Sequence, residues 1–170
     1  MQLDEYRVER RLAAGGFSFV YLARDAAGQA CAIKEYLPAT LPMRSAPDAP
    51  LVVPERHRAT FRHGLQCFFA EAKALAQLRH PNVVRVLKFF RANGTAYMAM
   101  RYEPGTTLQH HIQRAKAPLQ EAWIRATFVM LLNGLREVHS NRLVHLDIKP
   151  ANIYIREDGD PVLIDFGAAR

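Results

Sequence analysis

The sequence predicts an α+β fold, a five-stranded antiparallel sheet carrying one helix, followed by a helical region. Three observations predict it. Strand-length apolar stretches separated by turn residues occupy residues 6–102, a single helical periodicity breaks in over residues 60–78, and beyond Pro104-Gly105 the apolar spacing turns helical.

Residues 6–12, 17–24 and 30–36 alternate as strands, with residues 25–29 as a turn, and read as a β-meander. Residues 38–58 carry Pro38, Pro42, Pro47, Pro50 and Pro54. That density excludes a helix interior and a central strand, so an inserted loop is expected. Over residues 60–78, Phe61, Leu65, Phe68, Phe69, Ala72, Leu75, Ala76 and Leu78 recur mostly three or four apart, which predicts an amphipathic helix ending before His80-Pro81. Residues 83–90 and 95–102 are strands around Asn93-Gly94, a pair suited to positive φ. Pro104-Gly105 reads as a hinge, dividing a first lobe (1–102) from a second region (103–170). Helices are expected at 108–114 and 119–140, and a tight hairpin at 153–164 turning on Asp158-Gly159.

A chain of 170 residues with 49% apolar and 23% charged residues has the composition of a folded globular domain, not of a disordered or fibrous chain. No apolar run approaches the ~20 residues that cross a bilayer. A cytoplasmic protein with no membrane segment in this chain is therefore expected. The net charge of +7 invites a polyanionic partner. Its densest basic stretch, Arg56, His57, Arg58, Arg62 and His63, lacks the interleaved aromatic residues of a single-strand platform, so nucleic acid is not expected. Cys31 and Cys67, 36 residues apart and without a matching His pair, read as two reduced and mostly buried thiols instead of a zinc site.

The chemistry concentrates in His145-Leu146-Asp147-Ile148-Lys149-Pro150-Ala151-Asn152, followed by Asp165-Phe166-Gly167. Phosphoryl transfer needs a carboxylate near the attacking hydroxyl, a cation near the transferring group, and hard oxygen ligands for Mg²⁺. Asp147, Lys149, Asn152 and Asp165 supply that set. Pro150 sets a turn that can bring Asn152 back beside Asp147, and the hairpin is short enough to return Asp165 to the same place.

These motifs resemble those of the protein kinase family, differing from its His-Arg-Asp-Leu-Lys-Pro-x-Asn chiefly at Leu146. The resemblance implies that Asp147 orients or deprotonates the substrate hydroxyl and that Lys149 neutralises the γ-phosphate. It also implies that Asn152 and Asp165 hold Mg²⁺ against ATP. Lys149-Pro150 is similar to the serine/threonine branch, so the implied substrate is a protein bearing Ser or Thr. Cys31-Ala32-Ile33-Lys34 resembles the family's Val-Ala-Ile-Lys strand, which makes Lys34 the holder of the α- and β-phosphates. Glu71, in a helix that leads into His80-Pro81-Asn82, is its implied ion-pair partner. Their separation of 37 residues is long for the family, and the proline-rich insertion accounts for the excess.

Leu12 to Tyr21 resembles the family's glycine-rich loop less closely, with Ala13 and Ser18 where the first and third glycines belong. Gly15 keeps its place and Gly16 adds backbone freedom. Phe17 matches the phosphate cover and Val20 the adenine roof, and Ala32 is counted among the implied ATP-binding residues. Met100 matches the gatekeeper, and the backbones of Arg101 and Glu103 the groups that address the adenine edge. Leu146 stands where many kinases carry an arginine that pairs with a phosphorylated activation segment. Leucine cannot make that bond, so independence from such phosphorylation is expected, with Leu146 packed beneath the catalytic loop.

Lys34-Glu35-Tyr36-Leu37-Pro38 and the ending Ile164 to Arg170 are similar to proteobacterial serine/threonine kinases. The resemblance runs from about Tyr6 to Arg170 and covers part of the family's domain, so a fragment is expected, completed by further large-lobe helices or a partner domain. Two other readings stay open: a small-molecule phosphotransferase of kinase-like fold, and a catalytically silent nucleotide-binding scaffold.

Overall fold

The computed structural model describes residues 2–40, 44 and 49–169. Pro42, Pro47 and Arg170, which the sequence reading used, lie outside the described residues. The chain divides into two compact units, residues 1–73 with 86–102, and residues 74–85 with 103–170.

The first unit is built on an antiparallel sheet of β1 (Gln2–Leu3), β2 (Tyr6–Ala14), β3 (Ser18–Arg24), β4 (Ala30–Tyr36), β5 (Val86–Ala92) and β6 (Thr95–Arg101), in the order β1-β2-β3-β4-β6-β5. Five of these strands were expected. The sixth, β1, has two residues, too few for any alternation to register, and pairs Leu3 with Tyr6 across a turn in which Asp4 takes φ 54°. The β5–β6 turn has the positive φ expected of Asn93 (50°) and Gly94 (74°). Strand β5 begins at Val86 and not at Val83, because Val83 pairs with Leu163 of the second unit in an isolated parallel bridge and Val84 N–H donates to Leu163 O.

Alternation along β4 splits its side chains between two faces. Cys31 and Ile33 pack with Leu3, Tyr6, Ala23, Tyr97 and Ala99 into a buried cluster on one of them. Tyr36, on the other, lies with its ring 5.1 Å from Phe61 and 5.9 Å from Phe68 of α1 (Arg58–Gln77), while Phe69 meets Phe89 edge-on at 4.3 Å. These rings, each offering roughly 1.5–3 kcal/mol on burial, are what seat α1 on the sheet. Among the described residues of the insertion, no helix or strand precedes a 3-10 turn at Glu55–His57, which leads directly into α1 at Arg58. Cys31 is buried, and burial pushes its thiol up to about 11. Cys67, expected to be mostly buried, is only partly so and lies on α1 with its sulfur 3.8 Å from His63 Nε2.

The second unit contains α2 (Leu108–Arg114), capped by the Thr107 hydroxyl accepting from His110 N–H at 3.2 Å, and α3 (Glu121–Ser140). Its small sheet runs β7 (Gly105–Thr107), β8 (Ile153–Arg156), β9 (Pro161–Leu163). The hairpin was expected and β7 was not. Gly105, read as a hinge, holds φ 152° and lies so close to Ile155 O and Arg156 Cα that no Cβ fits, so the feature that suggested a break is what lets a strand pair there. The turn after α1 is fastened to β9, since Asn82 Nδ2 donates to Pro161 O at 2.7 Å and Leu163 N–H donates to Asn82 O at 2.8 Å. Among the described residues, no helix is long and apolar enough to cross a membrane.

Candidate active site

In the first unit, Lys34 follows three residues of β-branched or small character in a central strand, which holds its stem extended and aims it at α1. Its ammonium meets Glu71 Oε1 at 2.7 Å, both side chains being largely buried, and lies 5.9 Å from the centre of the Phe68 ring. The ion pair expected between them is present. A buried pair of this kind adds little net stability, because desolvation of both charges offsets their attraction.

Strand register brings further expected residues to the Lys34 face. Val20 lies opposite Lys34, and Ala32 opposite Met100. Directly opposed residues share a face, so Val20, Ala32, Lys34 and Met100 line one side of the sheet. Leu12 falls at a bulge between Arg11 and Ala13. Gly15, Gly16 and Phe17 form the β2–β3 turn, closed by Gly15 N–H donating to Ser18 O at 2.8 Å, with Phe17 76% exposed at its tip. Neither Gly15 nor Gly16 uses a positive φ. Arg101 ends β6.

In the second unit, Lys149 Nζ donates to both oxygens of Asp147, at 3.0 and 2.8 Å. Asn152 Nδ2 donates to the same residue twice, to its backbone O at 2.9 Å and to Oδ2 at 2.8 Å. The expected turn is a 3-10 turn at Pro150–Asn152, closed by Asn152 N–H on Lys149 O at 2.8 Å. The hydrogen bond from Lys149, against some burial, holds the Asp147 carboxyl below the usual carboxylate range, so it is ionised at neutral pH. Asn152 spends its NH₂ group on Asp147, which leaves its Oδ1 as the atom a hard cation would use.

Ile164 joins this loop to Asp165. Its N–H donates to Asn152 O at 3.0 Å, and its carbonyl lies 3.1 Å from His145 Nε2. Asp147 N–H points at His145 Nδ1, 3.3 Å away, so Nδ1 is the acceptor and Nε2 carries the hydrogen that Ile164 O receives. His145 is buried with its ring 4.4 Å from Phe166, also buried. Asp165 itself takes φ 60° and Leu146 φ 62°, two left-handed non-glycine residues within one loop cluster. Leu146 was expected to pack beneath the loop; it is 62% exposed, because its positive φ turns the side chain away from the His145–Phe166 contact. Glu103 Oε2 meets Arg156 Nε at 3.2 Å, and Glu157 N–H bonds to Pro104 O at 3.0 Å.

Two features escaped the sequence reading. Asn82 was noticed only as part of a helix-ending turn, although a buried amide after His-Pro is a signal that a backbone partner is required. Glu35 figures in the sequence only as part of the Lys34–Pro38 stretch, with no role of its own. A carboxylate beside Lys34, inside an otherwise apolar strand, is the clue the sequence offers.

The protein kinase domain family matches residues 6–170 of the chain. Among curated proteins, the chain is 33% identical over 173 residues to "Serine/threonine-protein kinase PknA" of Nostoc sp., covering 98% of this chain and 28% of that protein. It is 32% identical over 171 residues to "Serine/threonine-protein kinase C" of Synechocystis sp., covering 96% and 29%. The chain thus spans under a third of the length of these curated relatives. Among solved structures, it resembles "PpkA-294 apo form" with a TM-score of 0.92 and 37% identity, over 98% of this chain and 60% of the other. A family match over nearly every residue, with the family's motifs on the elements described, establishes that this chain belongs to the protein kinase domain family.

Proposed function

We propose that the chain carries the nucleotide-holding and phosphate-transfer residues of a serine/threonine protein kinase, with residues 1–102 as its first lobe and 103–170 as the start of its second. The observation that carries the reading is the Asp147 carboxylate, ionised and hydrogen-bonded by both Lys149 and Asn152. An acceptor so held is suited to orient a substrate hydroxyl, receiving its hydrogen as the oxygen is transferred a phosphoryl group. Lys149, shared with that carboxylate, is suited to follow the charge that develops on the transferring group. Lys34, fixed by Glu71, is assigned to the phosphates of ATP, and Val20, Ala32 and Met100, on its face, to the adenine. Asn152 Oδ1 and the Asp165 carboxylate are hard oxygen donors of the kind Mg²⁺ takes, and they would hold it. When bound, Mg²⁺ supplies neutralising charge at the phosphates. The serine/threonine assignment rests on Lys149-Pro150 and on the printed names of the curated relatives.

The test uses the full-length protein, radiolabelled ATP, Mg²⁺ and a peptide mixture, with phosphoamino-acid analysis of the product. Phosphoserine or phosphothreonine is expected. Lys34→Ala and Asp165→Ala should each cut transfer by about 10²-fold or more, the usual size for removing one preorganised charge. Asp147→Asn should lose transfer to a similar degree while keeping ATP affinity. Near-normal turnover in Lys34→Ala or Asp165→Ala, or a product on tyrosine or on a small molecule alone, would refute the reading.

A further inference from the structure

Lys34 and Glu35 are neighbours on β4, so they project to opposite faces of the sheet. Behind Lys34, on the face away from Glu71, the Glu35 carboxylate has 0% exposure. It accepts from Tyr21 Oη of β3 at 2.8 Å, from Tyr97 Oη of β6 at 2.7 Å, and from Arg44 Nη2 at 2.6 Å. Three central strands therefore share one buried carboxylate. Among the described residues, Arg44 alone brings it a positive charge, and Arg44 comes from the proline-rich insertion.

A buried carboxylate stripped of its cation is costly, and the strand bearing it must shift or take up a proton. The side chains around Glu35 are tuned to its charge. Burial, and then the Glu35 charge, push the Tyr97 hydroxyl up to about 12, which keeps it a donor. Burial works against the Arg44 charge, and the bond to Glu35, the Glu35 charge and Tyr97 together outweigh it. The start of the same insertion also reaches the glycine-rich turn, where Leu37 N–H donates to Phe17 O and Ala39 N–H to Gly16 O, each at 3.0 Å. Leu37 and Ala39 thus fasten the glycine-rich turn, and Arg44 fastens the back of the strand that presents Lys34.

We propose that Arg44, docked on Glu35, is a positioning residue that sets the Lys34 ammonium for nucleotide binding, with Leu37 and Ala39 tying the start of the same insertion to the glycine-rich turn. The proposal rests on the assignment of Lys34 to ATP. Docking of Arg44 on Glu35 keeps β4 in place between Tyr21 and Tyr97, and its loss frees Lys34 to drift from Glu71. Arg44 then becomes a control point: whatever draws it off Glu35 alters ATP affinity without touching the nucleotide.

The decisive measurement is the Kd of a fluorescent ATP analogue for the full-length protein and for Arg44→Ala, each with Lys34 intact and in a Lys34→Ala background. Arg44→Ala is expected to weaken binding about fivefold or more, within the range of such through-structure coupling. In the Lys34→Ala background, the same change should move Kd by less than about twofold, since no ammonium remains to be misplaced. Glu35→Gln combined with Arg44→Ala should recover affinity to within about twofold, because the charge needing compensation is gone. Equal weakening in both backgrounds would reduce Arg44 to a structural clamp and overturn the proposal, as would an unchanged Kd for Arg44→Ala. Should Arg44→Ala not fold, Arg44→Lys replaces it, and its smaller loss must likewise vanish without Lys34. If Lys34→Ala alone binds as tightly as the parent, the nucleotide assignment fails and this proposal with it.

Discussion

Leu146 holds φ at 62°, a conformation that costs a non-glycine residue about 1–2 kcal/mol. The strain is used locally. It swings the Asp147 N–H back onto His145 Nδ1, 3.3 Å away, and so fixes the carboxylate's direction while leaving the leucine in solvent. An arginine in that position could reach a phosphate; an exposed leucine offers neither charge nor donor. The full-length protein is accordingly expected to keep its rate after phosphatase treatment verified by mass spectrometry. A fall of about tenfold or more, equivalent to 1.4 kcal/mol in the barrier, regained by rephosphorylating one activation-segment residue, would show that another group does the ordering. The Asp147 shift carries a sign as well. With its pKa held down by Lys149, the carboxylate stays charged as pH falls, and its protonation belongs below the ordinary carboxylate value near 4.

Elements were legible in the sequence to the degree that their cause was local. Strands β2 to β6 and helices α1 to α3 appear within a few residues of where apolar periodicity puts them, since that periodicity is the burial pattern itself. The loop from His145 to Asn152 was legible for a similar reason: its hydrogen bonds close within five residues. What stayed hidden depends on partners remote in sequence. Arg44 finds Tyr97 and Glu35 only once β4 and β6 are adjacent, and a proline-rich stretch gives no hint of which residue will dock. Strand β7 was hidden by its glycine, because Pro104-Gly105 reads as a break unless β8 is known to lie against it. Gly105→Ala tests that contact. With φ at 152° and the β8 backbone in the way, the substitution should destabilise the second unit by about 3 kcal/mol. Gly159→Ala shares the positive φ, 91°, but has open space around it, and should cost less. Thermal denaturation of the two variants compares strain with strain plus clash, and equal losses would mean that the β7–β8 approach is not what requires Gly105.

At the scale of the whole molecule, the unsettled balance lies on α3. Its stripe Thr127, Leu131, Gly134 and Val138 is buried, as the spacing of one helix face requires. A second stripe is not: Ile124 is 38% exposed, Phe128 42%, Val129 58% and Leu132 62%. The small hairpin of β8 and β9 packs on this helix through β9 and leaves the second stripe exposed. Each such side chain forgoes part of the roughly 1.5–3 kcal/mol that full burial would give. Four together are comparable with a sizeable part of a domain's net stability of about 5–15 kcal/mol. Water-exposed surface of this kind drives association when nothing else covers it. The 170-residue chain, purified alone, is therefore expected to self-associate with rising concentration or to melt early beyond about residue 105, leaving the first unit folded. Sedimentation velocity across a concentration series reads the first outcome, and hydrogen exchange resolved by segment reads the second. Phe128→Glu with Leu132→Glu, placed on exposed positions, should suppress association without lowering the melting temperature. A chain that stays monomeric throughout and whose α3 amides are as protected as those of β4 would show that the second stripe tolerates water and that the helix needs no further cover.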